Sequence, residues 1–324
     1  MLNNMKVDFV GKKKLFALIS IAILVVCLVV NLIIGTVMDI QFTGGTIIKY
    51  SYTGDVSESV LKDTLKEFTD GKEKYAFAYD VITTGDDTNP NNVSVSLPVQ
   101  DKLSPETMTA MLEKLQTAAP AANFRQIESS TVEATMGQEF FGKCLVAIVL
   151  ASVLMLVYVA IRFRKIGGWS AGLMALLALL NDVLIAYFVF VIFRIPLDDN
   201  FVAVVLSILG YSLNGTIVIY DRIRENRRLL GAKSTLGEIV NLSINQSFRR
   251  TLHSSITTLI AVTCITVVAM AYGLDSILSF SIPLMFGIIS GFYTSTCLTA
   301  PLWVGMRNQM AKARARKAER ANAK

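Results

Sequence analysis

The chain is short of charge. Only 17% of its 324 residues are Asp, Glu, Lys or Arg, against about 25% in soluble proteins. It has one histidine, His253, and four cysteines, Cys27, Cys144, Cys264 and Cys297. The cysteines all fall in apolar runs, so they read as small buried hydrophobes rather than a disulfide framework or a metal set. No G-x-x-x-x-G-K-[ST] run is present, which excludes a P-loop for ATP, and there is no H-E-x-x-H. Hydrophobic residues reach 53%, the opposite of the composition of disordered chains. These absences argue against a soluble enzyme. No catalytic residue, metal or cofactor is expected.

What is present is long uncharged stretches. A membrane-spanning helix needs about 20 apolar residues, and six segments qualify: Leu15–Met38, Cys144–Ile161, Trp169–Phe193, Phe201–Tyr220, Leu252–Leu274 and Ser276–Met306. The last is too long for a straight span, and Pro283 and Pro301 are expected to mark its usable limits. The first exceeds a signal-peptide core and no A-x-A site follows, so an uncleaved span is expected. The organisation expected is an N-terminus at 1–14, a span at 15–38 and an extracytoplasmic domain at 39–140. Helices two to six then fall within 141–306, at about 141–161, 169–193, 200–220, 252–274 and 276–306. A cytoplasmic loop at 221–251 and a basic tail at 307–324 complete the chain.

Lysine and arginine placement sets the orientation. The segments before span one, between two and three, between four and five, and after six hold 21 of the 31 basic residues. That side reads as cytoplasmic, with both termini inside. The basic tail reads as an anchor on anionic lipid rather than a nucleic-acid site.

The segment between spans one and two is acidic, with 16 acids and 8 bases from Asp39 to Glu139. Thr46–Thr53 alternates as a strand. Ser57–Thr69 has helical spacing, Tyr75–Ile82 and Val93–Val99 read as strands, and Gly85–Asn92 is turn chemistry. A helix opens at Ser104–Pro105, and Phe124–Val132 reads as a fourth strand. The order β-α-β-β-α-β predicts a ferredoxin-like α+β domain, so the fold class expected is an α-helical membrane protein with six spans and this domain outside.

Asp182 is the one acid inside a span. An ionised carboxylate there costs several kcal/mol, so such residues usually face a bundle interior and serve function. Asn181 beside it can bond to neighbouring helices. Ser207, Gly210 and Asn214 share one face of span four, which suits close packing or hydrogen bonding in lipid. Thr251, Ser254, Ser255 and Thr258 share a face of span five, with Arg250 at its inner boundary. Span six adds Ser279, Ser281, Gly287, Ser290, Gly291, Thr294 and Ser295. A polar interior with one carboxylate suits ion or proton passage. Asp182 and Arg250 are expected to communicate through water rather than by direct pairing.

Several runs carry a family likeness: Phe42-Thr43-Gly44-Gly45-Thr46, Thr135-Met136-Gly137, Tyr158-Val159-Ala160-Ile161-Arg162-Phe163 and Asn181-Asp182-Val183-Leu184-Ile185. The most specific is Gly210-Tyr211-Ser212-Leu213-Asn214 running on to Asp221-Arg222-Ile223-Arg224-Glu225-Asn226. With these the chain resembles the SecF side of the SecD/SecF family of bacterial protein-export membrane proteins, relatives of RND-type exporters. The resemblance implies a bacterial cytoplasmic membrane and a heterodimer with SecD. It also implies work beside the SecY/SecE/SecG channel, with YajC and YidC as further partners, and proton-motive-force assistance to translocating preproteins. The candidate proton-path and intramembrane polar residues are Asp182, Asn181, Asn214, Arg250, Thr251, Ser254 and Thr258, and of these the resemblance implicates the Arg250-Thr251 pair in proton passage. Three positions depart from the family: Gly215 where an aspartate is common, Asn181 where a histidine is common, and Gln41 where an aspartate is common. The alternatives are a small-molecule exporter half-unit and a structural SecD-holding subunit with no ion path.

Overall fold

The computed structural model describes residues 7–39, 42, 44–54, 56, 60, 64, 81–82, 91–97, 105–132, 134–272 and 274–322. In order these form α1 (Lys13–Ile34), β1 (Gly45–Tyr52), β2 (Val81–Ile82), β3 (Asn91–Leu97), α2 (Pro105–Ala118) and β4 (Arg125–Val132). There follow α3 (Ala134–Arg162), α4 (Gly168–Ile192), α5 (Asp199–Leu230), α6 (Leu236–Tyr272) and α7 (Asp275–Tyr293). A π-helical turn (Thr294–Thr299) then leads into α8 (Ala300–Asn322). Among the described residues, six helical stretches are long and apolar enough to cross a membrane: α1, α3 to α6, and α7 continued into α8.

The spans are longer than the apolar runs alone indicate. The segment 221–251, expected as a loop, is helical except around Gly231–Thr235. Charged residues end a hydropathy run, yet Arg, Lys and Glu are good helix formers. Thr235 opens α6 with a capping box: its hydroxyl accepts from the Glu238 amide at 3.3 Å, and Glu238 accepts from the Thr235 amide at 2.8 Å. The prolines do not limit the last span either. Pro283 lies inside α7 and Pro301 in the first turn of α8, and the chain is re-wound at the π turn between them. There the Thr299 hydroxyl bonds to the Thr294 carbonyl five residues back, at 3.0 Å. The first span stops at Ile34, where Gly35 takes φ +75°, short of the expected Met38.

Among the described residues, the sheet between α1 and α3 has four strands in the order β2-β3-β1-β4, and each neighbouring pair is antiparallel. Ile48, Tyr50, Val93 and Val95 bury one face against Met111 and Leu115 of α2, with Phe124 beside them. Alternation in the strands and the four-residue step in the helix put these residues on facing surfaces. Most of the expected helix Ser57–Thr69, of the strand Tyr75–Ile82 and of the turn Gly85–Asn92 lies outside the described residues, as do Gln41 and Thr43.

In the bundle, α4 packs against α1, α3, α5 and α7. Its most apolar window is 50% buried, whereas the buried residue of α1 is Ser20 alone. The core joins Phe163, Tyr220 and Trp303 edge to face, with ring centroids 5.4 and 6.0 Å apart. At the sheet end, Val37 and Leu197 share a backbone bond of 2.9 Å, and Asp39 bonds back to Leu197 at 3.0 Å. That seam fixes the exit of α1 beside the α4–α5 connection.

Candidate functional site

Asp182, midway along α4, is fully enclosed. Its carboxylate accepts three hydroxyls. Ser290 of α7 donates to Oδ1 at 2.6 Å, and Ser212 of α5 and Thr294 of the π turn donate to Oδ2 at 2.6 and 2.8 Å. Ser290 and Thr294 are four residues apart and so share a helix face. Asn181 donates through Nδ2 to the Ser290 hydroxyl at 3.4 Å and accepts the hydroxyl of Ser20 on α1. A donor chain thus runs from α1 through α4 and α7 to the carboxylate. Among the described residues Asp182 has no ion pair, and it is held by neutral donors alone.

Close packing lets these helices converge. A Cβ on Gly291 would sit 3.1 Å from the Cβ of Ser212, and one on Gly287 would sit 2.1 Å from Cδ1 of Ile208. Glycine leaves room for α5 to lie on α7 there, where a larger residue would force Ser212 and Ile208 to shift. The other side of this layer opens into a small cavity of about 90 Å³. Tyr211, Asn214, Gly215, Arg250, Thr251 and Ser254 are among its lining residues. Ser212 lies between the cavity and Asp182: its Cβ faces Gly291, a cavity wall, and its hydroxyl reaches the carboxylate.

The expected residues therefore divide into two groups. Asp182 and Asn181 form the enclosed centre, together with Ser212. Asn214, Arg250, Thr251 and Ser254 line the cavity beside it. Thr251 and Ser255 turn inward, and Tyr211 donates to the Ser255 hydroxyl at 2.7 Å. Thr258 is half-exposed, bonded to the Ser254 carbonyl at 3.0 Å, and does not line the cavity. His253 is exposed and does not line it either. Ser207, Gly210 and Asn214 do share one face, and it is exposed. Leu213 is buried in the bundle core. Gly215 packs against the π turn, where an added Cβ would lie 2.9 Å from the Ser295 hydroxyl. Asp221 is an ion-pair hub, 3.0 Å from Arg162 and 3.2 Å from Arg224, while Arg222 pairs with Glu225 at 2.6 Å.

Phe42 is a second anchor point. It is 2% exposed and sits among Ala186 and Phe190 of α4, Val204 and Ile208 of α5, and the rings of Phe140 and Phe141. Gly44 and Gly45 follow with φ +79° and +146°. These angles favour glycine, and the pair turns the chain from this socket into β1.

Ser20 gives no signal in the sequence, because one serine in an apolar run carries no periodicity. Ser290 and Thr294 stand there only as members of a polar stripe, without the π turn that aims Thr294 at Asp182.

The fold and site define a multi-pass membrane protein built round one enclosed carboxylate. The family described as protein export membrane protein SecD/SecF, C-terminal, matches residues 111–309. A protein translocase subunit SecF from Sebaldella termitidis is 34% identical over 265 residues, covering 82% of this chain and 80% of that one. The protein translocase subunit SecDF of Bacillus subtilis is 30% identical over 309 residues, which span 95% of this chain and 39% of that longer one. The crystal structure of SecDF from Thermus thermophilus, described as translocon-associated, superposes with a TM-score of 0.75 at 26% identity, over 94% of this chain and 39% of that one. The chain belongs to the SecD/SecF family, and the relatives that match it along most of their own length are SecF translocase subunits.

Proposed function

We propose that this chain works beside a SecD-like chain to assist preproteins leaving the SecY/SecE/SecG channel, drawing on the proton gradient and doing no enzymatic chemistry of its own. The observation that carries the reading is Asp182, a carboxylate enclosed by hydroxyls from α5, α7 and the π turn. Hydrogen bonds to a charged acceptor are stronger than neutral ones. A proton on Asp182 removes the charge at which three hydroxyls point, and so loosens α4 from α5 and α7. Those movements reach Phe42, whose socket is made by the same two helices α4 and α5. From Phe42 the glycine pair leads into β1, so a shift among the spans is carried to the outer domain.

The outer domain is read as a ferredoxin-like lever, supported by the strand order β2-β3-β1-β4. The domain limits are those expected above, with the basic side and both termini in the cytoplasm, anionic lipid against that face, and YajC and YidC as further partners. The single-chain SecDF relatives, of which this chain spans 39%, support a SecD-like half as the missing partner. A cysteine reporter at Ser94 labels from outside in intact cells, and one at Ser234 labels only after permeabilisation. Labelling of Ser234 in intact cells overturns the orientation.

A second reading has one observation in its favour. The position where the family commonly has an aspartate is Gly215, packed so closely on Ser295 that a side chain needs rearrangement. On that reading Asp182 is a structural hub and the proton path belongs to the partner. Asp182→Asn separates the two, since it keeps size and hydrogen bonding but cannot titrate. The first reading requires an assembled complex whose export no longer responds to the proton gradient. Full gradient dependence in Asp182→Asn selects the second.

A further inference from the structure

Helix α5 is longer than a bilayer requires. Its 32 residues reach about 48 Å at 1.5 Å per residue, against a hydrocarbon core of about 30 Å. Asp198 caps its outer end, accepting from the Phe201 amide. Counting about 20 residues inward from Phe201 brings the hydrocarbon edge to the neighbourhood of Asp221. The next two turns, 222–228, stand at the depth of lipid headgroups.

At that depth the C-terminal turns of α5, residues 246–250 of α6 and the turn at Arg164–Ile166 line a cleft of about 970 Å³. Six cations line it: Lys165, Arg222, Arg224, Arg227, Arg228 and Arg250. Two acids, Asp221 and Glu225, leave a surplus of four. Both acids are already taken, Asp221 by Arg162 and Arg224, Glu225 by Arg222. Lys165, Arg227, Arg228 and Arg250 make no ion pair among the described residues. Orientation by positive charge needs only a count of cations near the span ends. It does not need four unpaired ones around one concavity.

We infer that this cleft is a specific site for the phosphate headgroup of an anionic phospholipid. Arginine is well matched to phosphate oxygens, and each cation near an anionic membrane surface contributes about 1 kcal/mol. Depth selects lipid over a free phosphate or an acidic peptide, because the leaflet's own phosphates lie at the level of 222–228. The inference rests on the proposed orientation only for which leaflet supplies the lipid.

The test uses the full-length protein in neutral detergent, titrated with phosphatidylglycerol, phosphatidylcholine or inorganic pyrophosphate. Bound lipid is counted by native mass spectrometry, and pyrophosphate binding is followed by thermal unfolding. Phosphatidylglycerol should be retained about tenfold over phosphatidylcholine; each charge removed should cost roughly fivefold, so Arg227→Gln with Arg228→Gln should abolish the preference. Arg314→Gln with Arg316→Gln, which takes the same charge from the C-terminal tail, should leave it unchanged. Lys165→Gln, exposed in the turn before α4, guards against misfolding of the arginine pair and should also lower the preference about fivefold. Equal losses in cleft and tail variants, no preference in the wild type, or an unchanged preference in Lys165→Gln each overturn the site. Stabilisation by pyrophosphate without phosphatidylglycerol retention assigns the cleft to free phosphate and overturns the lipid. Binding is read without transport, so the outcome is independent of the export result for Asp182→Asn.

Discussion

The two faces of α5 carry similar residues in opposite surroundings. Ser212 and Thr216 are buried, and Ser212 donates to Asp182. Ser207, Gly210 and Asn214 share the other face and are exposed, with open space around Gly210. Small and polar residues let helices approach closely in lipid, so either face could have been the inner one. The carboxylate decides it. Hydroxyls that can reach Asp182 gain a charged acceptor, and the bundle closes round them. The face left open is a surface that hydrocarbon alone does not satisfy.

Removing the carboxylate should break the inner face most severely. In Asp182→Leu, Ser212 and Ser290 lose the acceptor they have at 2.6 Å. An unsatisfied buried polar group costs about 1–3 kcal/mol, so a combined loss of roughly 2–5 kcal/mol is expected, less whatever rotation toward backbone carbonyls recovers. Thermal unfolding in detergent should fall well below that of Asp182→Asn, which keeps hydrogen-bonding capacity. Equal stability of the two variants would mean that the hydroxyls do not depend on the carboxylate.

This asymmetry is partly readable in the sequence. Asp182 stands out as the one acid in an uncharged run, and alternation places β1, β3 and β4 within about two residues of their observed limits. The periodic step that groups Ser207, Gly210 and Asn214 is also visible. Which face turns inward is not, because that depends on the partner helices. The hydroxyl donors come from α5, α7 and the π turn. A π turn arises from one extra residue accommodated in packing, and Thr294–Thr299 has no distinctive composition. The helical extensions at 221–230 and 236–251 are hidden for a different reason: hydropathy falls there while helix propensity does not.

A milder perturbation acts at the boundary between the faces. Gly215→Asp restores the acid common in the family, but its Cβ would lie 2.9 Å from the Ser295 hydroxyl. Overpacking of this kind costs about 1–3 kcal/mol. Ser295→Gly removes the obstructing side chain, so the double variant should be more stable than the sum of the two single changes. Additive losses, measured as unfolding midpoints of all four forms, would show that the crowding is relieved elsewhere.

The smallest effect on the chain's own stability is expected on the open face. A Cβ added at Gly210 would meet nothing within 4 Å, and the residue lies within a helix. Gly210→Ala should therefore leave the isolated protein unchanged or stabilise it by up to about 1 kcal/mol, the usual helix preference for alanine. If this face receives a helix of the SecD-like partner, the same methyl group obstructs the approach that glycine permits. Gly210→Leu enlarges the obstruction without touching the Asp182 network. Co-purification with the partner should then fall in the order wild type, Ala, Leu while the unfolding midpoint of the isolated chain stays level or rises. Undiminished co-purification of Gly210→Leu would place the partner on another surface, and the polar stripe of α5 would need a different explanation.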